Sequence, residues 1–425
     1  MEKYSSYKDS GVQWLGEIPS HWEVLRLGSY FSERKEKVSD KDYEPLSVTK
    51  NGIFPQLDNV AKTKDGDNRK LVRKNDFVIN SRSDRKGSSG VSKYDGSVSL
   101  INIVLEPRKA LEPSFCNYLL KSTEFIEEFY RNGHGIVADL WTTRYDEMKQ
   151  IKVAFPPIEE QQSMASYLDK ATAEIDKAIA QQQHMIDLLN ERKQIIIQRA
   201  VTKGLDENVE MKDSGVDWIG EIPAHWQVKK LKYIANTNSG STPRNISGKG
   251  GPSSNIKWVR TTDLNNDIVT DTSEYLSKQE MASASCPLLE PNTVLISMYG
   301  GSGSFGKIGI LGIEATINQA LCSISANDDI QPKYLFYYLQ SVNKIWMKFA
   351  ASSRKDPNLN QQIIRNIHIA YPQSKDEQDM VVGMLEKSIR EVNYGISQYE
   401  SLISTLQERK QIIISEVVTG KIKVS

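Results

Sequence analysis

The chain has little of what a metalloenzyme or a secreted protein displays. Three cysteines, Cys116, Cys286 and Cys322, are scattered through 425 residues and fit no metal-binding spacing. The five histidines (His21, His134, His184, His225 and His368) form no ligand cluster either. Buried, reduced thiols and a cytoplasmic location are the expectation. No apolar run approaches the roughly 20 residues that a membrane-spanning helix needs. The opening stretch MEKYSSYKDSG lacks the apolar segment of a secretory signal. Excess charge is missing as well: 54 basic side chains balance 54 acidic ones. A surface coated all over by nucleic acid is therefore not expected, although local basic patches are compatible with that balance. Catalytic signatures are absent too, with no G-x-S-x-G, no H-E-x-x-H, no paired Cys-x-x-Cys and no Lys-Ser or Lys-Thr phosphate loop.

What the chain does have is repetition. KDSGVQWLGEIPSHW at residues 8–22 returns as KDSGVDWIGEIPAHW at 212–226, with 12 of the 15 positions identical. A second pair follows the same order. IKVAFPPIEEQQSM begins the segment that ends in ERKQIIIQRAVT, and IHIAYPQSKDEQDM begins the one that ends in ERKQIIISEVVT. A unit of about 200 residues is too long for a solenoid repeat. The pattern is a whole domain plus a helix, written twice.

The two long segments read as helices. Met164, Leu168, Ala171, Ile175, Ile179, Ile186, Leu189 and Ile196 recur mostly at three- and four-residue steps, as do Leu385, Ile389, Val392, Ile396, Tyr399, Ile403, Leu406, Ile413 and Val417. Gln182, Lys193 and Lys410 interrupt these stripes. Acidic and amide residues open each helix, which suits the positive end of its dipole. The first is predicted from about Glu159 to Thr202, roughly 65 Å at 1.5 Å per residue. A single apolar stripe cannot sustain such a helix alone, and the other copy is the natural partner.

The divergent parts carry short β-like runs: KNDFVINSR (74–82), SVSLINIVLEP (97–107), IKWVRTTDL (256–264), NTVLISMYG (292–300) and KIGILGI (307–313). Helical patches at 113–133 and 332–350 follow them, so each part reads as an α/β domain. Two markers identify the domains as sisters, one of them a basic, polar turn near the end of each, RNGHGIVADLWTTR (131–144) and SSRKDPNLNQQ (352–362). FVINSR leads into the polar loop SDRKGSSG and then Ile101–Asn102, while VLISMY leads into GGSGSFGK and then Ile317–Asn318–Gln319. GSGSFG matches G-x-G-x-x-G, but a strand-like run follows where a dinucleotide site needs a helix, so it reads as a hairpin loop. The opener tryptophans Trp14, Trp22, Trp218 and Trp226 could stack on bases. Packing as an apolar clamp that holds each domain to a helix fits them better. Between Lys62 and Lys93 ten basic residues outnumber four acidic ones, a run that suits phosphates and guanine edges.

The doubled WLGEIPSHW/WIGEIPAHW openers, the AFPPIEEQQ/AYPQSKDEQ helix entrances and the ERKQIII helix ends resemble, over the whole chain, the specificity subunits of type I restriction-modification systems. The resemblance implies an α+β chain with an internal pseudo-two-fold repeat: two similar α/β target-recognition domains separated by two long antiparallel coiled-coil helices. The domains fall at 1–157 (first opener and recognition domain), 158–204 (central helix), 205–373 (second opener and recognition domain) and 374–425 (C-terminal helix). It implies double-stranded DNA, two methyltransferase subunits and two restriction subunits as partners. Catalysis would then lie in those partners, with S-adenosylmethionine, ATP and Mg bound there and no cofactor in this chain. A chain of this kind reads a bipartite target, each domain recognising about 3–5 base pairs across an unread spacer set by the helices. Half-sites on one face of the duplex lie about 34 Å apart. The alternatives are a stand-alone sequence-specific DNA-binding protein and a structural coiled-coil scaffold, the latter having no use for two large divergent domains with polar loops.

Residue chemistry and loop position nominate the DNA-contacting side chains. In the first domain they are Lys50, Asn51, Arg82, Arg85, Lys86, Ser88, Ser89, Arg131, His134 and Arg144. In the second they are Arg244, Lys249, Arg260, Thr261, Thr262, Tyr299, Ser302, Lys307, Arg354, Lys355, Asn358 and Gln361.

Overall fold

A computed structural model describes residues 2–56, 66–135, 141–243, 254–299, 305–349 and 359–424. The chain divides into two compact units. One comprises Met1–His184 with Glu400–Ser425, and the other is Met185–Tyr399. Each unit holds one α/β domain and a part of each long helix, Ile158–Lys203 and Lys375–Val418.

The two domains share a plan. In the first, an antiparallel sheet runs in the order Ser89–Val91, Phe77–Asn80, Asn102–Pro107, Phe31–Glu33. In the second, the corresponding order is Ile308–Leu311, Val294–Ser297, Leu321–Ala326, Ala235–Ser239, with Ile268–Val269 added parallel at the Ile308–Leu311 edge. Phe77–Asn80 and Val294–Ser297 are buried on both faces, as their unbroken apolar runs require. The helical patches each break into two helices. Pro113–Lys121 and Thr123–Arg131 meet at Ser122, whose hydroxyl caps the second. Pro332–Ser341 and Asn343–Phe349 meet at Val342. All three cysteines are buried and unpaired.

The repeated words are the joints of each unit. In the opener, Tyr7–Asp9 pairs with Glu17–Pro19, and Met211–Asp213 pairs with Glu221–Pro223 in the same register. This hairpin delivers Trp22 and Trp226 into the two cores. Each indole then donates from Nε1 to the glutamate at the start of a long helix: Trp22 to Glu160 at 3.2 Å, Trp226 to Glu377 at 2.8 Å. The preceding histidine contacts the same carboxylate, His21 to Glu160 at 2.8 Å and His225 to Glu377 at 3.0 Å. The next residue along each helix is a buried glutamine. Gln161 accepts from the Glu112 backbone N at 3.1 Å, and Gln378 accepts from Gln331 N at 2.6 Å. Both also donate backwards, to Pro156 O and Pro372 O. So in PPIEEQQ and PQSKDEQ alike, the glutamate holds the opener and the glutamine holds the start of a domain helix, Pro113–Lys121 in one unit and Pro332–Ser341 in the other.

The same tryptophans meet the end of the other helix. Gly420 lies beyond Lys375–Val418 at φ +71°, where an added Cβ would stand 2.4 Å from Pro19 Cδ and 3.1 Å from the Trp22 ring. Gly204 lies beyond Ile158–Lys203 at φ +73°, 3.3 Å from the Trp226 ring by the same measure. Within each unit the helix segments run antiparallel. In the first unit Met164 and Leu168 share a core with Ile413, Val417 and Val418, and Lys410 Nζ reaches Asp176 at 2.6 Å. In the second Ile197 and Val201 share a core with Val381 and Leu385, and Lys193 Nζ donates to Asn393 at 3.1 Å. The lysines that interrupt the apolar stripes are thus the same residue of the two ERKQIII copies, each with a polar partner across the seam.

A Gly420→Ala chain should lose stability on two counts, about 1–2 kcal/mol for the left-handed backbone and about 1–3 kcal/mol for the crowding. Gly215→Ala, at φ +71° with open space around it, carries the backbone cost alone. Thermal unfolding of both variants in one background measures the difference. Equal losses would refute the close packing of Gly420 on the opener.

Candidate nucleic-acid interface

Strand direction decides which loops gather. In the first domain, Phe31–Glu33 and Phe77–Asn80 run toward one end of the sheet, and Ser89–Val91 and Asn102–Pro107 start there. That end therefore collects loop 81–88 and turn 99–101. Segment 141–144 joins them: Ser83 N donates to Trp141 O, Thr143 N donates to Ser81 O, and Arg82 and His134 both bridge to Thr142. Thr143 Oγ1 and Trp141 Nε1 hold this segment to the carbonyls of Phe129 and Tyr130. The result is a polar tip on a base held by main-chain hydrogen bonds.

Arg82, Arg85, Arg131, His134 and Arg144 are exposed at or beside this tip, and Lys86 is half-buried. Several already face carboxylates. Lys86 pairs with Glu127 at 2.6 Å, Arg131 with Glu128 at 3.0 Å, and His134 approaches Glu147 at 3.7 Å. Exposed pairs of this kind hold side chains weakly, so phosphate can replace the carboxylate. Ser88 and Ser89 are buried: Ser88 passes its backbone into the strand pairing with Asn80, and Ser89 begins the edge strand. They shape the loop from below. Lys50 and Asn51 sit elsewhere, at the tip of the hairpin formed by Leu46–Thr49 and Gly52–Pro55, lining a cleft against the long helices.

The basic run does not form one surface. Arg69 is buried, with Nε on Ser97 Oγ at 2.8 Å and Nη2 on Ser97 O at 2.9 Å, and burial lowers its pKa. Lys70 pairs with Glu33 at 2.8 Å, and Arg73 lies over the Tyr43 ring. Lys62 and Lys64 lie outside the described residues. Only part of the run, chiefly Arg82, Arg85 and Lys86, reaches the tip.

The second domain gathers the matching end. Ala235–Ser239 and Val294–Ser297 run toward it, and Ile308–Leu311 and Leu321–Ala326 leave it. Gly240 there approaches the carbonyls of Ile317 and Asn318 so closely that a Cβ would stand 2.2 Å from each. Leu359 N donates to Met298 O, and Thr242 Oγ1 donates to Gln319 Oε1. Half-buried Tyr299 and Lys307 lie at this end, and burial raises the Tyr299 phenol. Thr261 and Thr262 form a short 3-10 turn, Thr261–Asp263. Arg260 is tied down by Glu274 at 2.7 Å and Ser273 at 3.0 Å. Gln361 is committed to the Thr237 backbone at 2.6 Å, so it braces the loop end against the sheet edge. Arg244, Lys249, Ser302, Arg354, Lys355 and Asn358 lie outside the described residues, as does most of GSGSFG. The strand Ile308–Leu311 follows that glycine run closely, which is the hairpin arrangement and not a phosphate-binding helix start.

Sequence reasoning passed over Ser99, Leu100, Ile101, Thr142, Thr242 and Gln319, all at these ends. Leu100 and Ile101 are exposed apolar side chains at the tip, suited to a thymine methyl. Ile101–Asn102 and Asn318–Gln319 were visible as sister markers, but only the strand directions show that they share an end with the basic loop.

Two α/β domains, each offering one polar loop cluster on a rigid sheet and each clamped to the same pair of helices, define a two-headed recognition protein. The type I restriction modification DNA specificity domain matches twice, at residues 19–183 and 223–398, and the chain belongs to that family. It is a DNA-recognition subunit of a restriction-modification system, in a family that is itself non-catalytic. The MjaVIII specificity subunit of Methanocaldococcus jannaschii is 23% identical over 426 residues, covering 96% of this chain and 94% of that one. The EcoKI specificity subunit of Escherichia coli K12 is 22% identical over 444 residues, covering 96% and 90%. A solved chain described under complex assembly and conformational transition of the type I R-M system has the same fold, with a TM-score of 0.65 over 94% of this chain and 98% of that one, at 16% identity. Among the described residues no helix is long and apolar enough to cross a membrane, and no three His, Cys, Asp or Glu side chains are grouped to hold a metal ion.

The buried and exposed arginines separate by experiment. Arg69→Met should cost about 2–3 kcal/mol of stability through the lost charged hydrogen bonds, whereas Arg82→Ala should change it by less than about 0.5 kcal/mol. Denaturant unfolding of the two variants checks this, and a reversed order would show that the basic run has been divided wrongly between core and tip.

Proposed function

We propose that this chain reads a bipartite DNA target, one half-site per domain, and carries the methyltransferase of its system to it. The observation that supports this most directly is the pair of loop clusters at matching ends of two sister sheets, alike in scaffold and different in side chains. In the first domain Arg82, Arg85, Lys86, Arg131, His134 and Arg144 are the candidate contacts. In the second they are Thr261, Thr262, Tyr299 and Lys307, with the candidates at 244, 249, 302, 354, 355 and 358 on the same account. Arginine suits the guanine O6 and N7 pair, while lysine suits phosphate. Ser88, Ser89, Arg260 and Gln361 support the loops in this reading, and the helices set the unread gap.

Two methyltransferase subunits and two restriction subunits complete the assembly, and S-adenosylmethionine, ATP and Mg belong to them. The helices offer repeated apolar positions for docking. Met185 and Ile195 are 38% and 58% exposed, and their counterparts in the second copy, Leu402 and Ile412, are 43% and 49% exposed. Large side chains left open at the same place in both copies suit two identical partners. Ile195→Glu together with Ile412→Glu should abolish co-purification of the methyltransferase while leaving the melting profile of this chain within a few degrees. Retained co-purification would place the docking surface elsewhere.

Exchanging residues 22–157 with those of another specificity subunit, followed by mapping of methylated adenines in cells that also express the methyltransferase, tests the reading as a whole. The expected result is a motif altered in one half, with the other half and the gap retained. A motif altered in both halves, or methylation independent of this chain, would overturn it.

A further inference from the structure

The cleft that holds Lys50 and Asn51 lies away from the loop tip of the first domain. It has a volume of about 820 Å³ and is lined by Lys50, Lys74, Lys93, Lys121 and Lys410 among its cations. Asp169 and Asp176 are its acidic residues, and both are engaged: Asp169 accepts from Tyr118 Oη at 2.8 Å, and Asp176 is held by Lys410 at 2.6 Å. Lys50, Lys74 and Lys93 are exposed around it. Lys121 is fixed in its floor, donating from Nζ to Lys50 O at 2.9 Å and Ser89 O at 3.0 Å, so it ties the cleft to the end of the recognition loop.

The floor is built for close approach. A Cβ on Gly90 would stand 3.1 Å from Gly52 Cα, so the hairpin tip lies directly on the strand Ser89–Val91. That strand leads away from loop 81–88 and covers about 10 Å at 3.3 Å per residue. Phosphates along one DNA strand follow one another at about 3.4 Å along the axis. Lys50 therefore stands at the Ser89 end of this strand, next to the loop, while Lys74 and Lys93 stand at its other end, where Asn75 N donates to Ser92 O.

The geometry points to a phosphate-binding cleft, in which Lys50, Lys74 and Lys93 hold the DNA backbone beside the first half-site without reading sequence. This rests on the DNA-reading function proposed above. It gives Lys50 and Asn51 a different task from the one their residue types first suggested: anchoring, with base choice left to the 81–88 and 141–144 loops. The occupant is a continuous sugar-phosphate backbone, because the lysines are spread along the rim and do not converge on one point as a small anion would require.

The test uses the complex of this chain with its methyltransferase and a duplex bearing its mapped target. Binding is measured across a range of salt for the wild type and for the combined Lys50→Gln, Lys74→Gln, Lys93→Gln variant. Each lost phosphate contact should lower the slope of log K against log salt by about 0.9, so the triple variant should bind with a slope shallower by about 2–3. At near-physiological salt its affinity should fall on the order of 100-fold, while the ratio between the target and a duplex with one altered base stays unchanged. An unchanged slope would overturn the proposal, as would a changed ratio, which would make these residues base readers. Loss of the methyltransferase from the complex would assign the cleft to an acidic surface of that partner. A wild-type complex with no preference for the target would remove the parent reading, and this inference with it. Equal melting temperatures for variant and wild type confirm that the exposed substitutions leave the fold intact.

Discussion

The structure depends on one tryptophan in each unit. Trp22 is buried, donates its indole N–H to Glu160 at the start of one long helix and packs on Gly420 at the end of the other. Trp226 does the same with Glu377 and Gly204. A partly buried carboxylate at a helix start loses some hydration, and here it gains the indole, an imidazole and the favourable end of the helix dipole together. The opener is thus a connector with three faces: the domain core, one helix start and one helix end. Its repetition in the sequence follows from the repetition of that task.

Residues identical between the two copies are concentrated at contacts with the helices, and residues that differ are concentrated at the far ends of the sheets. The glutamates and glutamines of the helix entrances bond to equivalent partners although the surrounding letters change from PPIEEQQ to PQSKDEQ. The loop ends rest on backbone contacts in both domains, made by different residues. Ser83 and Thr143 bind backbone in one domain, while Gly240 and Leu359 make close backbone approaches in the other. A scaffold fixed by main-chain hydrogen bonds tolerates replacement of the side chains it presents.

Much of the architecture was legible because it rests on periodic signals. The long helices announced themselves by three- and four-residue spacing, the strands by short apolar runs, and the domain relationship by FVINSR and VLISMY. The interface was legible only in part. Charge density along the chain picked out 62–93, but a linear run says nothing of which way successive side chains point. Strand alternation sent Arg69 inward to Ser97 and Lys70 to Glu33, and outside that run a hairpin turn carried Lys50 into the cleft beside the long helices. Gln361 looked like a base reader by chemistry, yet the partner that claims it, Thr237, lies 124 residues away. Contacts at that sequence distance leave no local trace.

The clamp also explains why the helix seam can be imperfect. Lys193 and Lys410 interrupt the apolar stripe, and the pairing partner is an asparagine in one unit and an aspartate in the other. An exposed pair of this kind contributes little, on the order of 0–1 kcal/mol, so it is a weak guard against one helix sliding along the other. The openers supply the stronger guard. Sliding by a single turn, about 5.4 Å, would draw either the glutamate or the terminal glycine away from the tryptophan that touches both. Burial of that tryptophan, and not the coiled-coil stripe, therefore fixes the axial register of the helices within each unit. Under the proposed reading of two half-sites, register within each unit is the quantity that must not drift, and it is secured where the chain repeats itself most faithfully.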